Sequence, residues 1–255
     1  MKTTIKIVAA FFASVLTLFI LAGFYLWLTM PRLTQDRLEL PSNVVGINTG
    51  FAYSWLIPTE NGVLLIDAGH DDESIAIKEQ LTQQGYSIDN VHTILLTHGH
   101  TDHWGGTTAF PKAEIYIHEA DVSLFNRSEP EVKNPVINFL QSQMTKDLIA
   151  PTVYQTIKEN QILEIDGEQF KLILIPGHTA GSIAILWNDI LFLGDSALNG
   201  ETGLEHPPDM FGGNHAQTKM SLKPLLNEDF SIIAFAHSTF IENGHEELEI
   251  FINSK

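Results

Sequence analysis

The chain has 255 residues, 44% of them hydrophobic, a formal charge of -17 and no cysteine. The apolar content suffices for one well-packed domain, and the absent cysteines exclude disulfides, thiolate metal ligands and a lipid-modified cysteine. Residues 1–40 hold four basic and two acidic side chains against ten and twenty-nine in the remainder, so most of the chain repels a phosphate backbone, which argues against a nucleic-acid partner.

In chain order, the first element is a run of 24 uncharged, mostly apolar residues from Ile7 to Met30. As a helix it spans about 36 Å, more than the ~30 Å hydrocarbon layer of a bilayer. Lys2 and Lys6 precede it, Tyr25 and Trp27 suit a membrane interface, and it lacks the short core and small-residue cleavage site of a signal peptide. Residues 1–30 are therefore expected to be an uncleaved transmembrane helix. The flanking lysines place the N-terminus inside and the folded part outside the cytoplasm, although Arg32 and Arg37 weaken the bias. Residues 31–42, closed by Pro41, are expected to be a juxtamembrane linker, and 43–255 a single domain.

That domain opens with strand-like pieces at Val44–Ile47, Tyr53–Ile57 and Gly62–Ile66. Asp71–Gln84 reads as an amphipathic helix, with Asp71 or Asp72 as cap and Gly85 as stop. A buried strand follows at Val91–Leu96, a helical stretch at Trp104–Phe110, a strand at Glu114–Ile117 and a helix at Glu119–Phe125. Residues 126–150 are interrupted by Pro130 and Pro135 and hold one helix near Val136–Met144. Strands are then expected at Val153–Ile157, Gln161–Ile165, Phe170–Leu174, Ile183–Trp187 and Leu191–Leu193. A helix near His215–Leu226, a strand near Ile232–Ala236 and a helix near Glu246–Ile252 complete the chain. Strands followed by helices, twice over, predict two β-sheets packed face to face with helices outside.

Chemistry concentrates at Leu95–Gly106, where His98, His100, Asp102 and His103 fall within six residues directly after an apolar strand. Neutral imidazoles and a carboxylate at that density suit a borderline cation such as zinc. Further donors stand at the ends of apolar strands: His178 after Leu172–Ile175, Asp195 after Ile190–Leu193, and His237 after Ser231–Ala236. Strand ends hold ligands rigidly.

This order of motifs (His-x-His-x-Asp-His, then Gly-His, Gly-Asp and a last His) resembles the metallo-β-lactamase superfamily over roughly residues 42–240. The earlier run Leu64-Leu65-Ile66-Asp67-Ala68-Gly69 is similar to the strand whose Asp braces the family's metal loop. The resemblance implies an α/β fold, an αβ/βα sandwich with the site at one edge. It also implies two zinc ions per chain, with iron or manganese as alternatives. His98, His100 and His178 would hold one ion, Asp102, His103 and His237 the other, and Asp195 would bridge them. A water shared by two such cations ionises near neutral pH and serves as nucleophile, and Asp102 is expected to shuttle protons beside its ligand role. The last motif departs from the frequent Gly-His-Gly form, reading Ala236-His237-Ser238.

Within the family, zinc β-lactamases usually lack the bridging Asp, and glutathione-thioester hydrolases carry an extra helical domain, whereas this chain ends 18 residues past His237. Quorum-signal lactonases often have a Tyr where Leu198 stands. The expected activity is hydrolysis of a small ester-like bond, lactone or thioester first. The alternatives are a mononuclear iron dioxygenase acting on persulfides and a non-catalytic metal-binding module. His118 is expected to be structural. His206 and His215 flank a loop able to cover the site, and Phe51, Tyr53 and Trp55 belong to a hairpin that borders the pocket in relatives.

Overall fold

The structure is a computed structural model that describes residues 33–254 apart from Glu159, Asp209, Met210 and Gly212, together with Ser14, Thr17 and Gly23. The chain divides into two units, Met1–Arg32 and Leu33–Lys255. Apart from Ser14, Thr17 and Gly23, the expected transmembrane helix falls outside the described residues. Among those described, no helix is long and apolar enough to cross a membrane.

The first sheet of the second unit contains β1 (Arg37–Leu40), β2 (Val44–Asn48), β3 (Tyr53–Thr59), β4 (Gly62–Ile66), β5 (Val91–Leu95), β6 (Glu114–His118) and β7 (Gln155–Ile157), in that spatial order. β1 to β4 pair antiparallel, and β4 to β7 parallel. The second sheet has the order β14-β11-β10-β9-β8, from β8 (Gln161–Ile165), β9 (Glu168–Leu174), β10 (Ile183–Trp187), β11 (Ile190–Phe192) and β14 (Ile232–Ala234). A separate hairpin joins β12 (Leu198–Gly200) to β13 (Gly203–Glu205).

Strand periodicity explains the layering. Successive side chains point to opposite faces, and here both faces are apolar. Trp55, Ile57, Leu64 and Ile66 enter a core shared with Phe170, Ile183, Ile185 and Phe192 of the second sheet. The intervening Leu56, Val63 and Leu65 face a second core closed by α1 (Ile75–Gln83), through Ile77 and Leu81. On the far side Ala184, Leu191 and Ile233 pack against α5 (His215–Leu222) and α6 (Gly244–Asn253), through Leu222, Leu248 and Phe251. Three cores between four layers make an αβ/βα sandwich, as expected from the sequence.

Three short helices lie between these: α2 (Thr101–Trp104), α3 (Val122–Phe125) and α4 (Pro135–Met144). Residues 37–40 were expected to be linker. They instead form the edge strand β1, because Leu38 and Leu40 alternate inward into the core between the sheets. The expected helix at Trp104–Phe110 is split, α2 giving way at Gly105 to a 3-10 turn over Gly105–Ala109. Glycine is required there, since a Cβ on Gly106 would lie 2.2 Å from the Ala68 carbonyl oxygen.

Candidate metal centre

The parallel strands β4 and β5 end side by side, so Asp67 and Thr97–His98 emerge at one edge of the first sheet. The ends of β9, β11 and β14 bring His178, Asp195 and His237 to the same place from the second sheet. Gly194 permits the approach of the Asp195 loop. Its φ is +53°, and a Cβ there would lie 2.7 Å from the Thr97 hydroxyl.

Two sets of donors result. His98 Nε2 lies 3.0 Å from His100 Nδ1, and His178 Nε2 lies 3.1 Å from that same nitrogen. Asp195 Oδ2 closes the set at 3.5 Å from His178 Nε2 and 3.9 Å from His98 Nε2. In the second set His103 Nε2 is 3.8 Å from Asp102 Oδ1, and His237 Nε2 is 3.3 Å from Asp102 Oδ2. Asp195 faces this set as well, with Oδ1 3.3 Å from His103 Nε2 and Oδ2 3.0 Å from His237 Nε2. The structure thus brings together all seven residues expected to be ligands.

The second nitrogen of most of these rings is committed elsewhere. His103 Nδ1–H donates to Asp67 Oδ2 at 2.8 Å, His237 Nδ1–H to the Phe51 carbonyl at 2.8 Å, and His100 Nε2–H to the Glu131 carbonyl at 3.2 Å. His98 Nδ1–H faces the Thr97 hydroxyl at 3.2 Å, whose own proton goes to Asp67 Oδ2. With those protons placed, the inner nitrogens carry lone pairs. His98 Nε2 and His100 Nδ1 are then two acceptors in contact, which only a shared cation or an added proton reconciles. His103 Nε2 and Asp195 Oδ1 are likewise buried with no hydrogen-bond partner although 3.3 Å apart.

The donor set fits tetrahedral zinc. Bonds of about 2.0–2.1 Å separate the ligand atoms of a tetrahedron by about 3.3 Å, comparable to the four contacts of 3.0–3.9 Å in the first set, whose donor atoms all lie within 4.8 Å of one another.

Electrostatics distinguish the two halves. Burial pushes His98 well below the ordinary imidazole range and His178 down to about 3, leaving both neutral as ligands must be. Burial acts likewise on His103 and His237, but carboxylates overrule it. Asp195, Asp67 and Asp102 raise His103 well above its usual value, and Asp195 with Asp102 lifts His237 to about 10. Burial would also raise Asp195 and Asp102, yet the facing imidazoles hold both below the carboxylate range. The Asp102 half therefore calls for positive charge more strongly.

Asp67, expected to brace the metal loop, accepts from the Thr97 N–H, the Thr97 hydroxyl and His103 Nδ1, each at 2.8 Å. His118 is structural, its Nδ1 accepting from Ala120 N–H at the start of a 3-10 turn. Tyr53 and Trp55 lie in the inter-sheet core, whereas Phe51 stays on the hairpin loop, edge-on to His70. His206 and His215 stack face to face with ring centroids 4.1 Å apart, and His206 packs on Phe251 of α6. The sequence reading missed Thr97, the carbonyls of Phe51 and Glu131, and Asp121. A backbone carbonyl leaves no mark in a sequence, and only the position of Thr97 beside His98 could have pointed to it.

A four-layer sandwich with paired histidine–aspartate sets at the edge between its sheets defines a class of metal-site proteins. Residues 47–237 match the metallo-beta-lactamase superfamily, and the chain belongs to it. It is similar to a hydroxyacylglutathione hydrolase of Idiomarina loihiensis, 29% identical over 69% of this chain and 58% of that protein. It is also similar to the hydroxyacylglutathione hydrolase GloC of Haemophilus influenzae, 29% identical over 77% of this chain and 90% of that protein. The chain thus spans less than two thirds of the first relative and most of the second. Among solved structures it resembles a metallo-beta-lactamase family protein of Thermus thermophilus, with TM-score 0.64, 20% identity and coverage of 84% and 76% of the two chains. Metallo-beta-lactamase SMB-1 superposes with TM-score 0.62 at 18% identity, over 80% of each chain. At those identities the likeness establishes the fold alone.

Proposed function

We propose that this chain is a metal-dependent hydrolase holding two zinc ions and cleaving a small ester-like bond, a thioester before a lactone. The observation that carries the reading is Asp195, whose two oxygens face both donor sets at 3.0–3.9 Å. His98, His100 and His178 would hold one ion, Asp102, His103 and His237 the other, and Asp195 would bridge. When bound, such a pair supplies an ionised water at neutral pH and polarises the scissile carbonyl. The chain itself supplies orientation. Asp67, Phe51 and Glu131 fix the ring nitrogens that His103, His237 and His100 present, which preorganises those three imidazoles for the reaction. Asp102 would carry protons: its side chain is 29% exposed against 8% for Asp195, which makes it the more solvent-accessible carboxylate of the centre.

The thioester preference is supported by relatives named hydroxyacylglutathione hydrolase. The uncharged run Ile7–Met30 supports a single-pass anchor with the hydrolase domain outside the cytoplasm. The test uses the full chain in detergent, loaded with zinc and offered chromogenic thioesters, lactones, phosphodiesters and cephalosporins. Turnover of thioesters that vanishes in His100→Ala is expected. Two bound zinc ions without turnover of any ester would reduce the protein to a binding module, and one iron per chain would overturn the zinc reading.

A further inference from the structure

Asp67 serves the His103 side of the centre, but the three imidazoles of the other set come from two loops of different sheets. His98 and His100 follow β5, His178 follows β9, and 78 residues separate His100 from His178. Their inner nitrogens must nonetheless stay about 3 Å apart. The side chain that spans these loops is Asp121, wholly buried at the start of α3.

Its Oδ2 accepts the Gly99 N–H at 3.0 Å, from the residue between His98 and His100. The same oxygen accepts the Thr179 hydroxyl at 2.6 Å, from the residue after His178, and Oδ1 accepts the Gly181 N–H at 2.7 Å. Because the Thr179 hydroxyl proton goes to Asp121, the Ser182 hydroxyl, 2.7 Å away, must donate to Thr179 Oγ1. Ser182 Oγ in turn accepts the Thr179 N–H at 3.0 Å. Every donor around the carboxylate is thereby directed, and none is shared with a metal ligand's own side chain. The cradle is closed sterically too. A Cβ on Gly99 would lie 2.8 Å from the Asp121 carbonyl oxygen, and one on Gly181 2.8 Å from Asp121 Cγ.

We propose that Asp121 is the positioning residue of the His98–His100–His178 set, fixing the separation of the two ligand loops through their backbone amides. It touches neither substrate nor ion and acts only on where three nitrogens stand. The inference rests on the dinuclear reading above and deepens it, by adding to Asp67 a second buried carboxylate brace that spans the two ligand loops.

Asp121→Asn is the direct test. An amide can accept at only one of its two ends, so whichever way it turns, at least one of the Gly99 and Gly181 N–H groups faces an NH2 instead of an acceptor. Removing an outer partner of a metal ligand lowers metal affinity by about 10–100-fold. The measurement is stepwise zinc affinity of the metal-free full chain in competition with a chromophoric chelator. It is paired with the visible absorption of the cobalt-loaded protein and the thermal midpoint of the metal-free form. We expect two zinc ions in the wild type. In Asp121→Asn we expect one of the two steps to weaken about 10–100-fold, the cobalt spectrum to change, and the metal-free protein still to melt cooperatively. Thr179→Val removes one donor to Asp121, together with the acceptor of the Ser182 hydroxyl, and leaves both amides anchored. It should weaken the same step by less, and it carries the test if Asp121→Asn does not fold. Wild-type affinities and cobalt spectra in the folded variants would overturn the proposal while leaving the dinuclear reading intact. A wild-type chain that takes up no metal would remove both.

Discussion

Asp67→Asn is the sharpest probe of how the centre is held. Oδ1 of Asp67 takes the Thr97 N–H, and Oδ2 takes both the Thr97 hydroxyl and His103 Nδ1–H. An amide can serve one of these groups and must oppose the other with its NH2. If the amide oxygen keeps His103, the buried Thr97 N–H loses its acceptor. If it keeps Thr97, His103 is pressed toward the tautomer that protonates Nε2, the nitrogen 3.3 Å from Asp195 Oδ1. Either outcome removes at least one hydrogen bond to a charged acceptor, about 1.5–3 kcal/mol each, which at about 1.4 kcal/mol per decade amounts to roughly 10–150-fold or more. Backbone strain does not contribute, because Asp67 has φ of +60° and asparagine tolerates that region. Alanine would add roughly 1–2 kcal/mol of left-handed backbone energy. Metal-free protein should show a lowered thermal midpoint, and zinc titration against a competing chelator should show a weakened step. An Asp67→Asn protein with wild-type melting and wild-type affinity for both ions would refute the argument that this carboxylate holds His103 in its ligating tautomer.

Other perturbations separate the two halves of the centre. His237→Ala should reduce zinc uptake from two ions to one, measured by elemental analysis after dialysis; retention of two would show that His237 is not a ligand. Zinc affinity should rise with pH, and more steeply for one step. His237, lifted to about 10, and the raised His103 hold protons that an ion must displace, whereas His98 and His178 are already neutral. Each displaced proton gives up to about tenfold per pH unit, so equal slopes for both steps between pH 6 and 8 would contradict this division. In the metal-free chain the raised His237 has a different consequence. Its contribution to stability is complete below the unfolded value of about 6.5 and is lost as pH rises through about 10, visible as a falling urea midpoint. Outside the ligand set, Gly46→Ala would place a methyl 2.7 Å from the Trp55 ring in the inter-sheet core. Overpacking of that kind costs about 1–3 kcal/mol, and an unchanged urea midpoint would show that Trp55 can move aside.

What the sequence made legible follows from how each feature is encoded. The sandwich could be read because β4 and β10 are continuous apolar runs and β3 is interrupted only by Ser54 between Tyr53 and Ile57, the mark of strands buried on both faces. The candidate ligands could be read because imidazoles and carboxylates are conspicuous at the ends of such runs. The strand β1 was hidden by Arg37 and Glu39, whose outward side chains disguise two inward leucines in a four-residue strand. The hairpin of β12 and β13 was hidden because Leu-Asn-Gly and Gly-Leu-Glu have no strand period to detect. Asp121 was hidden for a different reason. It stands in the run His118-Glu119-Ala120-Asp121, one acid among many, and only the crossing of two loops whose histidines, His100 and His178, are 78 residues apart gives its carboxylate a task.

That task bears on why the centre needs two braces. The inner nitrogens of His98, His100 and His178 crowd at about 3 Å, so the metal-free chain must hold their lone pairs together against repulsion, whereas the raised His103 and His237 pair with Asp195 and Asp102. One end of each sheet supplies part of the set, and neither sheet alone can fix distances between parts. Asp67 joins the end of β4 to Thr97 and His103, within the first sheet's edge. Asp121 joins the first sheet's histidine loop to the second sheet's His178 loop. An ion that binds the assembled site stabilises the fold by RT ln(1 + [L]/Kd), about 4 kcal/mol at a thousandfold excess over Kd. The braces determine how much of that stabilisation is available, because any loosening of the nitrogen positions before binding must be reversed by the ion. Zinc should therefore raise the melting temperature of the wild type by more than that of either brace variant.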